Sequence, residues 1–200
     1  MTAASTPKGE RRRQALVEAA AELLVEGGFD AVRHRAVAEK AGLPLSSTTY
    51  YFDSLDELVA AAVEHHGRGE LVRGTALLAA LPARPRGIDA VIDLVLDQLL
   101  GPPAGERDAE LVLLRYERLV ATFRRPYLRP LMHTLGAELR GLLRQVLTRS
   151  GIEMDARRVE HLIAVVDGAV VNALIEIDPD PRAAASRMLH EFLTRSYPTT

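Results

Sequence analysis

Apolar residues recur along this chain at steps of three and four nearly from end to end, with no sustained alternation of apolar and polar positions, so the pattern predicts helices and no strands. From Arg11 to Glu26, the residues Leu16, Ala20, Leu23 and Leu24 form one stripe. Gly27 and Gly28 close that helix, and Phe29 and Val32 are placed to fold back onto it. In AVRHRAVAEKA, Val32, Val37, Ala38 and Ala41 lie near one face, with Arg33, His34, Arg35, Glu39 and Lys40 largely off it. Gly42 ends this second helix by supplying the left-handed backbone of a tight corner. Leu43 buries in the corner, Pro44 presets the backbone for a new helix, and Ser46 and Ser47 offer hydroxyls to cap it or to contact phosphate. That third helix is short and complete by Phe52, because Asp53 and Ser54 are the capping types that open yet another, LDELVAAAV.

Downstream, the proline-bearing breaks LPARPRG, GPPAGE, RRPYLRP and IDPDPR separate segments of helical periodicity, predicted near 55–80, 87–100, 106–124, 127–149, 156–177 and 182–196. The expected fold is all-α, with a three-helix N-terminal unit over 11–53, a helical remainder over 54–200, and residues 1–10 as a flexible basic arm. The fourth helix joins the two parts and is long enough to carry motion between them.

The third helix is unusual in chemistry: hydroxyl and aromatic side chains over GLPLSSTTYYF, with too little apolar content for a helix wholly in a core. Hydroxyls bond phosphates and base edges, and aromatic rings meet sugars and thymine methyl groups, so the segment suits a DNA major groove. An ordinary helical hairpin inside a bundle has the same spacing. Val37, Ala38, Thr48 and Phe52 read as packing inside the unit.

Composition narrows the classes. A 48% hydrophobic content over 200 residues is ordinary globular material, and the absence of cysteine removes disulfides and thiol chemistry and fits a reducing compartment. The net charge of −2 argues against coating nucleic acid by bulk attraction, so any DNA contact is local. Local charge exists in Lys8, Arg11, Arg12 and Arg13, and in Arg33, Arg35 and Lys40. The first ten residues are polar and read as no signal peptide, and Leu162–Ile177, interrupted by Asp167 and Asn172, falls short of the roughly 20 residues that span a bilayer. A cytoplasmic protein is expected.

Catalytic signatures are missing: no GxSxG elbow, no P-loop, no HExxH, and GRGE lacks the third glycine of a dinucleotide fingerprint. His65 and His66 point in different directions on one helix and no carboxylate spacing completes a metal site, so neither an enzyme, a metal nor a cofactor is expected. A helical adaptor that binds only protein is the alternative to a DNA-binding regulator.

Residues 11–58 resemble the TetR (tetracycline-repressor) family of transcriptional regulators: RRRQALVEAAAELLVEGGFDAV is similar to its first helix and Gly-Gly-aromatic turn, and RAVAEKAGLPLSSTTYYFDSLDELV to its helix-turn-helix leading into the fourth helix. The spacing from Gly28 to Gly42 to Phe52 fits without insertion. Three positions depart from the pattern: Arg33 replaces a Ser or Thr cap, Thr49 a tyrosine, and Leu55 a phosphate-contacting lysine. The resemblance implies an N-terminal helix-turn-helix DNA-binding domain and a C-terminal helical domain for effector binding and dimerisation. It places Arg33, His34, Arg35, Leu45, Ser46, Ser47, Thr49, Tyr50 and Tyr51 at double-stranded DNA. Tyr116, Phe123, His133 and Asn172 are its candidates for a small-molecule pocket, although the stripe containing Tyr116 and Phe123 also reads as plain core. By pattern alone the last two helices either finish the core or pair with a second chain. The resemblance implies the latter, a homodimer through Val165, Gly168, Ala169, Leu189 and Phe192, reading a palindromic operator as a repressor released by an effector.

Overall fold

A computed structural model describes residues 6–196, which form helices and connecting turns with no strand among them. Nine α-helices follow in order: α1 (Pro7–Ala31), α2 (His34–Lys40), α3 (Leu45–Tyr51), α4 (Leu55–Ala80), α5 (Ile88–Leu100), α6 (Asp108–Thr122), α7 (Arg129–Arg149), α8 (Ala156–Ile175) and α9 (Pro181–Ser196). Single 3-10 turns precede α6 at Gly105–Arg107 and α7 at Pro126–Leu128.

Of the expected arm, residues 1–5 lie outside the described residues, and helix begins at Pro7 rather than at Arg11. Thr6 caps it, its hydroxyl accepting from the Gly9 N–H at 3.1 Å, and Pro7 needs no amide partner at the first helical position. α1 is broken at Gly27 and Gly28, where Gly28 takes φ 66°, so the chain turns back and brings Phe29 and Val32 onto the helix. Gly42, at φ 64°, makes the corner between α2 and α3. Pro44, not a serine, is the N-cap of α3, with no side-chain capping bond, because Ser46 and Ser47 already lie inside the helix. α4 opens on a reciprocal cap: Ser54 Oγ accepts from the Glu57 N–H at 3.1 Å, and Glu57 Oε2 accepts from the Asp53 N–H at 2.8 Å.

The chain divides into two compact units, 6–70 with 117–133 and 71–116 with 134–196. In the first, Leu16, Ala20, Leu24, Val32, Val37, Phe52, Leu58 and Ala62 are almost fully enclosed, and so is Leu128 from the turn before α7. That turn is anchored further by Arg125, whose guanidinium lies 3.8 Å from the Phe29 ring centre. Tyr127 bonds Asp56, and burial together with that carboxylate pushes its phenol pKa up.

In the second unit, α5, α8 and α9 supply most of a core of Val91, Ile92, Leu96, Leu162, Val166, Val170, Leu189 and Leu193, closed by Leu143 and Leu147 of α7. Arg182 at the start of α9 ties three elements together. Its Nε sits 3.0 Å from Asp108 of α6, its Nη1 3.4 Å from Asp97 of α5, and its Nη2 donates to the Gly101 carbonyl. Burial raises the Asp97 pKa and Arg182 opposes that rise.

Candidate nucleic-acid interface and regulatory domain

The reading head is built by packing α2 and α3 on α1 and turning their polar faces outward. Val37 and Ala38 face the core from α2, and Thr48 is the buried residue of α3, its hydroxyl donating to the Leu45 carbonyl at 2.8 Å. Phe52 closes α3 on the core with the Arg13 guanidinium 5.0 Å from its ring centre. Lys40 bridges Glu22 at 3.1 Å and Glu26 at 2.9 Å, which pins the end of α2 to α1 and raises the lysine pKa through those two hydrogen bonds. Arg13 and the exposed Lys40 are thus engaged by other residues of the head, whereas Lys8, Arg11 and Arg12 are exposed on the first turns of α1.

The expected contact residues collect on the outer surface of α2 and α3. Arg33 is exposed at the N-cap of α2, makes no capping bond, and donates from Nε to the Asp30 carbonyl at 3.0 Å. His34 is half-buried with Nδ1 enclosed and unpartnered, and Arg35 is exposed with no hydrogen bond or ion pair among the described residues. On α3, Leu45 is 53% exposed and Tyr50 78%, Ser46 and Thr49 are exposed, and Ser47 is half-buried. Tyr51 is also half-buried and packs against the head core, its ring edge-on to Tyr50 with centroids 4.9 Å apart. Tyr51 therefore props Tyr50 as well as facing out.

The four pocket candidates do not share one environment. Tyr116 is buried in the second unit, but Phe123, just after α6, belongs to the first and is 85% exposed. His133 and Asn172 are exposed as well. What Tyr116 does meet is Asp167, a residue absent from those candidates: its hydroxyl donates to Asp167 Oδ1 at 2.7 Å, joining α6 to α8. Burial raises the pKa of both groups, and Arg115 nearby opposes it for each. The signal was in the sequence, since Asp167 is a charge inside an otherwise apolar run.

The interface candidates on α8 and α9 separate in the same way. Leu189 is fully buried and Ala169 nearly so, both in the core of their own unit, which leaves them little surface for a partner. Val165 is half-buried, Phe192 is partly buried against the core, and Gly168 is exposed. Exposed on α8 at steps of four, three and four are Ala164, Gly168, Val171 and Ile175, and on α9 Met188 is exposed one position before Leu189.

Among the described residues no group of three histidine, aspartate or glutamate side chains is arranged to hold a metal, and no helix is long and apolar enough to cross a membrane. His66 lies 3.5 Å from Glu70 and 3.5 Å from Arg118, and His65 lies 3.4 Å from Gln14.

Comparison with known proteins agrees with this layout at both ends of the chain. Residues 16–62 match the model of bacterial regulatory proteins of the tetR family, and residues 86–195 match that of the tetracyclin repressor-like C-terminal domain. The HTH-type transcriptional regulator PksA of Bacillus subtilis (strain 168) is 36% identical over 55 residues, which is 28% of this chain and 27% of PksA. Among solved structures, the multidrug binding protein EbrR complexed with ethidium is 31% identical, with a TM-score of 0.67 and 90% of this chain and 98% of that one covered. A TetR family member from Streptomyces coelicolor A3, SCO1917, is 31% identical with a TM-score of 0.61, covering 90% and 97%. With a helix-turn-helix presented on a packed head, and both halves matched by one family, the chain belongs to the TetR family of transcriptional regulators, which join a DNA-binding helix-turn-helix to a ligand-binding helical domain and are not enzymes.

Proposed function

We propose that this protein is a homodimeric, cytoplasmic repressor that grips a palindromic operator through paired α2–α3 heads and lets go when a small, largely apolar effector binds the C-terminal domain. The observation that carries this reading is the outward face of the head: exposed Arg35, Leu45, Ser46, Thr49 and Tyr50 on helices whose other sides are fully used by the core. One such head makes too few contacts for a specific site, and two held about one DNA turn apart read both half-sites together.

The exposed stripe Ala164, Gly168, Val171 and Ile175, with Met188 and Phe192 of α9, is the surface we assign to the second chain. Asn172, next to that stripe, is then an interface residue rather than a pocket one. For the effector, the Tyr116–Asp167 pair amid apolar side chains offers a polar anchor. EbrR, a relative over nearly its whole length, is a multidrug binding protein solved in complex with ethidium, proflavin, malachite green and imidazole. Release requires that the effector favour one dimer shape over another, and a coupling of about 1–3 kcal/mol changes operator occupancy roughly 5- to 150-fold.

The test is selection of genomic DNA on the purified protein, followed by fluorescence anisotropy on the recovered duplex across a salt series. Nanomolar, salt-dependent binding is expected, and Arg35→Ala should cost about 1–3 kcal/mol and relax specificity at one base pair, because the guanidinium has two parallel donors for a guanine edge. Unchanged affinity in Arg35→Ala would remove that assignment. Retention of no duplex at all would favour a helical protein-binding adaptor instead.

A further inference from the structure

The recognition helix has a peculiarity that determines what kind of sequence it reads, given the operator-binding role above. α3 is LSSTTYY: it contains no arginine, lysine, asparagine or glutamine. Those are the side chains that pair with guanine through two donors or with adenine through a donor and an acceptor.

Its hydroxyl inventory is thinner than the sequence implies. Thr48 is buried and its hydroxyl is given to the Leu45 carbonyl. Thr49 is exposed, but its hydroxyl donates to the Ser46 carbonyl at 3.3 Å, so that hydrogen is occupied within the helix and the side chain's remaining substituent is a methyl group. Ser47 is half-buried. What reaches outward is an aliphatic row, Leu45 and Thr49 four residues apart, beside a second row of Ser46 and Tyr50. Leu45 at 53% exposure is a large apolar side chain that the head core leaves uncovered.

Only one feature of the major-groove floor is recognised by an aliphatic group, the C5 methyl of thymine. We infer that α3 discriminates by thymine methyl contacts through Leu45 and Thr49, so that each operator half-site carries thymines facing this helix beside the base pair read by Arg35. Ser46 and Tyr50, with single hydroxyls, are left to phosphates and positioning.

The experiment uses the full-length protein and a random-sequence duplex library. The recovered site is then remade with each thymine replaced in turn by uracil, which keeps pairing and the O4 acceptor and loses only the methyl. At one or two positions per half-site, anisotropy should record an affinity loss of about fourfold per half-site, the equivalent of ~0.8 kcal/mol for one buried methyl group, and about 16-fold when both halves are substituted. In Leu45→Ala, an exposed position whose thermal unfolding should match the parent, thymine and uracil should bind equally at one of those positions. Specific, salt-dependent binding to sites insensitive to every uracil substitution would overturn methyl readout and leave the operator-binding reading standing. Failure to retain any duplex would overturn both.

Discussion

Leu128→Ala is the sharpest probe of how the head is held together. Leu128 lies in the turn before α7, more than 60 residues beyond the end of the helix-turn-helix, yet it is fully enclosed among side chains of α1 and α4. Truncation removes three carbons, worth ~2.4 kcal/mol at about 0.8 kcal/mol each, and the cavity left behind adds to that. Losses for buried leucines run from about 2.7 to 5 kcal/mol, and with Arg125 on Phe29 and Tyr127 at Asp56 holding the turn in place, collapse into the gap is restricted. We expect a loss of about 3 kcal/mol, read by native-state hydrogen exchange as roughly 150-fold faster exchange of the slowest amides in α1 and α2. Leu131→Ala, at a partly buried position in the first turn of α7, should cost clearly less. Exchange accelerated by less than about fivefold, that is a loss under roughly 1 kcal/mol, would refute the placement of residue 128 in the head core.

Three further outcomes follow from the second unit. Arg182→Met should destabilise the protein by about 2–3 kcal/mol in urea unfolding, short of the 3–5 kcal/mol of a fully enclosed pair because Asp97 keeps some solvent, and Asp97→Asn in the same background should recover part of the loss. Asp167 has its pKa raised in the folded protein, chiefly by burial, so the unfolded chain ionises more readily and this residue's contribution is fully present below the unfolded carboxylate range and lost as pH rises through the folded value. Asp167→Asn, which keeps an oxygen acceptor for Tyr116, should therefore raise Tm at pH 7 relative to the parent, with the gap closing towards pH 4; a lower Tm at pH 7 would contradict that sign. Gly168→Ala meets no atom within 4 Å inside its own chain and gains about 1 kcal/mol of helix propensity, so weaker dimerisation by sedimentation would report a partner packed against α8, and unaltered dimerisation would count against Gly168 at the interface.

Much of this was readable from the chain because local rules agreed with the fold. Gly28 and Gly42 both take the left-handed backbone their positions demand, and every later helix lies within two residues of its expected ends, with Ser54 and Asp155 capping the starts of α4 and α8. Val37, Ala38, Thr48 and Phe52 are buried as helical spacing requires. The start of α1 at Pro7 was hidden by Gly9 and a run of charge, although Thr6-Pro7 is a sound capping pair. Periodicity identifies an apolar stripe but not which edge of it turns inward: Leu189 went to the core and Met188 to solvent. Leu128 could not be assigned to the head because it sits in a proline-bearing break with no period of its own, and only long-range packing puts it there. Asp167 was visible as a charge in an apolar helix, but its partner Tyr116, on a different helix, was not.

The central claim is that two copies of the α2–α3 head enter successive major grooves on one side of a duplex. Hydroxyl-radical footprinting on the recovered operator tests it most directly. Two equal protected patches related by the palindrome are expected, centred about one helical turn, 34–36 Å, apart, and both should need about 5- to 150-fold more protein in Arg35→Ala. A single unsymmetrical patch, or protection that does not depend on residues of α2 and α3, would contradict it.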